Sequence, residues 1–189
     1  MILTTINTSV LSASFLLVSG SISPNFALIS VANPPQILAK QQINNKTSQP
    51  HPVFKSILPK LKKNIQINIL LPKYIPESDG ENPLYAIIET ATKNKYEILL
   101  SFSPDCNGGT ACRLSIITGE AVTSKTPKLT GKAISLAKGM SGYFVDFQCG
   151  ANCSDATLTW RKKAVQYRIG LKAGKQADLV KMARSVITQ

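Results

Sequence analysis

Acids, cysteines and clustered cations are the side chains of this sequence that could do chemistry. Asp105, Asp146, Asp155, Glu89, Glu97 and Glu120 are the candidate acids. Two carboxyl groups about 5 to 10 Å apart can cleave a glycosidic bond, one as acid and the other as base or nucleophile. Most of these acids fall in turns or on the polar side of a strand pattern, where water solvates them. Asp155, in CSDAT, reads as a turn residue beside a cysteine loop. The chain's single histidine, His51, lies between two prolines outside the expected folded part. Ser-His and Cys-His nucleophile systems and His-based zinc hydrolases therefore lack their base or ligand. The inventory favours a non-enzymatic protein, with a carboxylate-dependent hydrolase, or an inhibitor of one, as the alternative.

The cations are more unusual. Lys and Arg number 22 against 10 acids, a formal charge of +12 and an isoelectric point near 9.7. From Lys40 to Lys73 every charged residue is a lysine. Arg161, Lys162, Lys163, Arg168 and Lys172 form a second group and are the candidate anion-binding residues. Such a field steers acidic partners: an envelope polymer, a lipid headgroup or a protein. A plain solvated basic surface is the competing reading. Nucleic acid is not favoured, because backbone binding wants a contiguous cationic track with exposed aromatics, and Tyr167 alternates inward. NGGT, from Asn107, matches no phosphate-loop pattern, and a turn accounts for its glycines. No cofactor or metal is expected.

The cysteines, Cys106, Cys112, Cys149 and Cys153, are spaced C-x5-C and C-x3-C. An even count without C-x-x-C favours structural bridges over a redox dithiol. Local pairing, Cys106 with Cys112 and Cys149 with Cys153, suits residues that already start close together. Crossed pairing would close longer loops, about 4 kcal/mol per bridge against roughly 2 kcal/mol, unless strain reverses the order. A four-thiolate zinc site fits poorly, since structural zinc prefers shorter knuckles and an exported chain carries oxidised sulfur.

The elements that must hold these groups are mostly strands. Tyr96, Ile98, Leu100 and Phe102 alternate with polar neighbours, and Leu114 and Ile116 resume the apolar side after an NGG hairpin. Tyr143, Val145 and Phe147 alternate with Phe144, Asp146 and Gln148. Val165, Tyr167, Ile169 and Leu171 form a strand expected to pack on one side only. Leu158 and Trp160 take the inward parity. Ile65 to Leu71 reads as a first strand, Tyr85 to Glu89 as a second and more buried one, and Ile134 to Leu136 as a short one. Gly119 to Gly131 reads as a polar loop, while Met140 is left open between core and loop tip.

VFKSILPKLKK places Phe54, Ile57, Leu58 and Leu61 on one short helical stripe, brief or kinked at Pro59. A terminal helix is expected over Gln176 to Ile187, with Leu179, Val180, Ala183, Val186 and Ile187 inward and Lys181 and Arg184 outward. The expected fold is one disulfide-stapled α+β domain over 53–189: an antiparallel twisted sheet of six or seven strands, a short N-terminal helix and a C-terminal amphipathic helix.

Residues 1–32 carry no charge, and VLSASFLLVSG from Val10 is an apolar run of signal-peptide length, short for a membrane span. It lacks a positive n-region. Cleavage after Ala32, with Ser30 and Ala32 as the small residues, would leave 33–52 as a proline-, glutamine- and asparagine-rich disordered spacer. Taken in order, LPK-x-IP, CNGGTAC, CSDATLTW and YRIGLKAG followed by LVKMARSVI resemble small uncharacterised secreted proteins of cyanobacterial type over residues 53–189. The Y-x-I strand and following helix are similar to the ends of several periplasmic or lipoprotein domains of unknown function. The resemblance implies export to the periplasm or cell surface and brings no catalytic residues.

Overall fold

Alternation along Val165–Lys172 sets the architecture, because this strand lies at the centre of the sheet and its inward side chains are buried in the core. The computed structural model describes residues 49–76, 82–109, 111–151 and 153–187, all in one compact unit. The expected signal segment, and the spacer up to residue 48, lie outside the described residues. The strands are β1 (Tyr85–Thr92), β2 (Lys95–Ser101), β3 (Arg113–Ala121), β4 (Lys132–Ala137), β5 (Met140–Val145), β6 (Asp155–Lys162) and β7 (Val165–Lys172). They form one seven-stranded antiparallel sheet in the order β1-β2-β3-β7-β6-β5-β4. Two meanders thus meet where β7 returns beside β3. The expected α+β fold is the one observed.

One face of the sheet is covered. Tyr96, Ile98 and Leu100 of β2, Ile117 of β3, Leu158 and Trp160 of β6 and Tyr167 and Ile169 of β7 point into the core. Helix α2 (Gln176–Ile187) lies on them through Leu179, Met182, Ala183 and Val186, all almost fully buried. Full burial stabilises by about 1.5–3 kcal/mol for each larger apolar side chain, so this helix contributes substantially to the core. Its bounds match the sequence reading, although Met182 belongs to the buried stripe and Val180 is only half-buried. Helix α1 (Leu58–Asn64) and the 3-10 turn Pro52–Phe54 before it add Leu61 and Phe54. Pro59 sits in the first turn of α1, where its missing N–H costs nothing, so it starts the helix rather than breaking it.

Several expectations need correction. Ile65 to Leu71 is no strand: it crosses the core face as extended chain, and distant side chains satisfy its backbone. The Leu70 N–H donates to the Tyr96 hydroxyl at 3.1 Å, which in turn donates to the Leu70 carbonyl at 3.0 Å. Tyr167 donates to the Asn68 carbonyl at 3.0 Å. Gly119 makes room for this clamp, because a Cβ there would meet the Tyr96 ring at 2.4 Å. β3 therefore runs on through Gly119 to Ala121, inside the expected loop.

The parity of β5 is also reversed. Phe144 faces the core, and Tyr143 and Val145 lie on the other side. The inward series Ala156, Leu158 and Trp160 fixes β6, and pairing sets Phe144 opposite Leu158, with Tyr143 opposite Thr159 and Val145 opposite Thr157. β1 is an edge strand and only partly buried, with a register shift at Ile88/Thr90. β7 is more buried than expected on its second side, where Gln166 and Gly170 are buried and Arg168 is exposed. NGG lies within a longer disulfide-closed loop between β2 and β3 rather than in a tight turn. Met140 packs against the core. His51, expected in a flexible spacer, donates its backbone N–H to the Pro72 carbonyl at 2.8 Å, and its Nδ1 accepts from the Val53 N–H at 3.3 Å. Partial burial lowers its pKa.

Candidate functional site

The second face of the sheet has no helix over it among the described residues, and β-sheet alternation sends the polar side chains there. Cross-strand pairing arranges them in rows. One row reads Glu97, Thr118, Arg168, Thr159, Tyr143 across β2, β3, β7, β6 and β5. The next reads Lys95, Glu120, Gln166, Arg161. A third, Leu99, Ile116, Gly170, Thr157 and Val145, is mainly apolar. Residues of the three rows on β2, β3 and β7, with Asp155 and Thr157 of β6, line a shallow cavity of about 260 Å³.

Pro127 to Thr130, in the connection 122–131, lie against the β6 side of this face. Arg161 fixes it by donating through Nη2 to the Pro127 carbonyl at 2.7 Å, while its Nε holds the Gln166 side-chain carbonyl at 3.0 Å. A smaller depression of about 60 Å³ continues the cavity beneath Lys128 and Thr130 and shares Thr157, Gln166 and Arg168 with it. The result is one trough running across the strands. At its far end Arg113 and Asp155 make a 2.8 Å ion pair, with side chains only 15 and 13% exposed.

Charge in the trough is largely paired. Lys95 sits 3.3 Å from Glu97. The Gln166 amide donates to Glu120 at 3.4 Å. Arg168 is exposed and uses Nε on the Thr159 hydroxyl at 3.2 Å. It is the exposed cation on the central strand.

The five candidate cations do not form one cluster. Arg161 and Arg168 face the trough. Lys172 shares their face at the opposite end of β7, directly across from Asp155. Lys162 and Lys163 lie at the β6–β7 hairpin, where Lys163 takes a positive φ of 56° and points to solvent. The six candidate acids also divide. Glu97, Glu120 and Asp155 line the trough, so Asp155 is a strand residue with a partner rather than a turn residue. Glu89 is exposed on β1 and Asp146 caps its own turn by accepting from the Phe147 N–H at 2.9 Å. Asp105 is fully exposed, and the Ser103 hydroxyl that donates to it lowers its pKa. Trp160 stacks on Tyr167 inside the core, with ring centroids 5.7 Å apart, and offers no ligand platform.

Cys106 pairs with Cys112 and Cys149 with Cys153, the local connectivity. Both bridged loops lie at the same end of the sheet as the Arg113–Asp155 pair. Two disulfides point to an oxidising, exported environment. Among the described residues no helix is long and apolar enough to cross a membrane, and no group of acids, cysteines and histidines could hold a metal ion.

The sequence reading missed Arg113, Gln166 and the threonines of the trough. Gln166, Arg168, Gly170 and Lys172 were legible as the polar side of β7. What was missing was the strand order, which alone tells that β3 and β6 flank that side. The chain matches no protein-family model, no curated protein and no solved structure.

Proposed function

We propose that this protein is an exported, non-enzymatic binding module of the periplasm or cell surface, and that the open face of its sheet takes an anionic envelope component at Arg168. The observation that carries this reading is the position of Arg168: exposed on the central strand, flanked by Thr118 and Thr159, and donating through Nε to the Thr159 hydroxyl. A guanidinium keeps its fork free for a bidentate carboxylate or phosphate when only Nε is used. The net charge of +12 would steer such a ligand towards the protein before it finds the trough.

The test separates the site from the overall charge. Arg168→Gln and Lys138→Gln remove the same charge, the second from the exposed β4–β5 turn. An acidic envelope polysaccharide should bind the wild type and Lys138→Gln alike and Arg168→Gln about tenfold more weakly. Equal losses in both variants would reduce the reading to a generally basic surface.

A hydrolase remains the second reading because Glu97 and Glu120 share the trough as diagonal neighbours on β2 and β3. Their Cα atoms then lie about 7–8 Å apart, a spacing from which two carboxyl groups can flank a glycosidic bond. Release of reducing ends from an acidic glycan, abolished by Glu97→Gln or Glu120→Gln, would favour it over simple binding.

A further inference from the structure

We infer that the ligand of the trough is a chain of sugar acids: a uronate polymer whose carboxylate meets Arg168 and whose hydroxyls meet Glu97, Glu120 and Thr118. The inference rests on the anion-binding reading above and narrows it to one chemical class.

The trough contains acceptors as well as a cation. Glu97 and Glu120 lie beside Arg168, one in its own row and one in the next. Fully ionised carboxylates accept hydrogen bonds and donate none. A phosphate-rich or sulfate-rich polymer also presents acceptors only, so each repeat passing Glu97 or Glu120 would set like charge against like. A neutral glycan would leave the Arg168 guanidinium without a charged partner. A ligand with one carboxylate and several hydroxyls per repeat satisfies both demands. Its acid receives the Arg168 fork, and its hydroxyls donate to Glu97 and Glu120 and exchange bonds with Thr118.

Shape agrees with this chemistry. The cavity of about 260 Å³ brings Glu97, Thr118, Glu120 and Arg168 into one lining, so a single repeat of the polymer can meet all four. The Arg161 bond to Pro127 holds the 122–131 connection in place before any ligand arrives, which reduces the ordering that binding requires.

Titration calorimetry of the disulfide-intact protein with oligomers of galacturonate, mannuronate and guluronate, inorganic polyphosphate and a neutral cello-oligomer would decide. At least one uronate oligomer should bind, about tenfold more weakly to Arg168→Gln, and several-fold more weakly to Glu120→Gln because a hydroxyl loses a charged acceptor. Polyphosphate should bind more weakly than the uronate and gain from Glu120→Gln. If polyphosphate binds as well as the uronates and Glu120→Gln strengthens both, the sugar-acid inference fails and the anion site stands. If uronates bind and Arg168→Gln changes nothing, the site itself is wrong. Failure of every uronate oligomer to bind overturns the inference outright.

Discussion

Arg113 of β3 and Asp155 of β6 form their 2.8 Å ion pair across the strand that separates them, and Gly170 of β7 is the residue they pass over. A Cβ on Gly170 would meet the Asp155 carboxylate at 3.1 Å. The pair ties together the two disulfide-bridged loops at this end of the sheet, since Arg113 follows Cys112 and Asp155 stands just after Cys153. Both side chains are largely buried, and Arg113 Nε has no hydrogen-bond partner among the described residues. Asp155→Ala should therefore cost about 3 kcal/mol of unfolding free energy, most of it from stranding the guanidinium. Arg113→Leu with Asp155→Leu should cost much less than the sum of the single changes. Urea denaturation of the four proteins gives the cycle, and additive losses would mean that the pair contributes nothing specific.

Gly170→Ala tests the crossing itself. A glycine in a strand interior is ordinarily worse than alanine, so an unobstructed site would gain about 0.5–1 kcal/mol. Here Asp155 is held from the other side by Arg113 and cannot yield freely, so a net loss of about 1 kcal/mol is expected. The loss should turn into a gain when Asp155 is already alanine. A gain in the wild-type background would show that the carboxylate moves at little cost.

The Tyr96 hydroxyl satisfies both backbone groups of Leu70 in a fully buried setting. Tyr96→Phe leaves a donor and an acceptor without partners and should cost about 1–3 kcal/mol. Hydrogen exchange at the Leu70 amide should accelerate with it. Tyr167→Phe removes one bond, to Asn68, and should cost less. Unchanged exchange at Leu70 would mean that the 65–71 segment is held by its apolar side chains alone.

These two tyrosines also set an alkaline limit. Burial pushes the Tyr96 hydroxyl far above its ordinary value against the opposing effect of its Leu70 bond, and burial raises Tyr167 as well. The unfolded chain ionises its tyrosines near pH 10, while the folded chain retains these two protons to higher pH. The unfolded state therefore binds fewer protons in that window, and stability falls as pH rises. Their contribution should be complete below about pH 10 and decline above it. Tyrosinate absorbance should show two groups ionising only as the protein unfolds, and Tyr96→Phe should flatten the alkaline limb of stability. Early, reversible ionisation of all the tyrosines would contradict this.

Much of the fold was legible because local periodicity and tertiary packing agree in β2, β7 and α2. Val165, Tyr167, Ile169 and Leu171 alternate without interruption, and Leu179, Ala183, Val186 and Ile187 repeat at helical spacing. Ile65 to Leu71 alternates equally well, yet no strand pairs with it. Its distant partners are the hydroxyls of Tyr96 and Tyr167 and the Lys93 carbonyl, which no local pattern reveals. In β5 two adjacent aromatics, Tyr143 and Phe144, made either parity plausible, and pairing with Leu158 decided it. The candidate site was half legible: alternation puts Arg168 and Lys172 on one solvent side of β7, and Arg161 belongs to the same basic group. Joining them to Glu97, Glu120 and Arg113 required a strand order in which the last strand inserts beside the third.

The disulfides give the reading of compartment its sharpest test. Each closes a short loop, so loop entropy assigns about 2 kcal/mol to each bridge. That is too little to make either indispensable to a domain with this core. Cys149→Ser with Cys153→Ser should lower the stability by about that amount and leave the sheet intact by circular dichroism. The decisive experiment is intact mass of protein from its native host, with and without reduction, followed by alkylation. No thiol should react before reduction and four should react after it. The chain should also begin near Asn33 if the apolar leader is removed on export. Four reactive thiols on an unprocessed chain would place the protein in a reducing compartment. The acidic envelope polymer would then cease to be its natural partner, whatever Arg168 binds in the test tube.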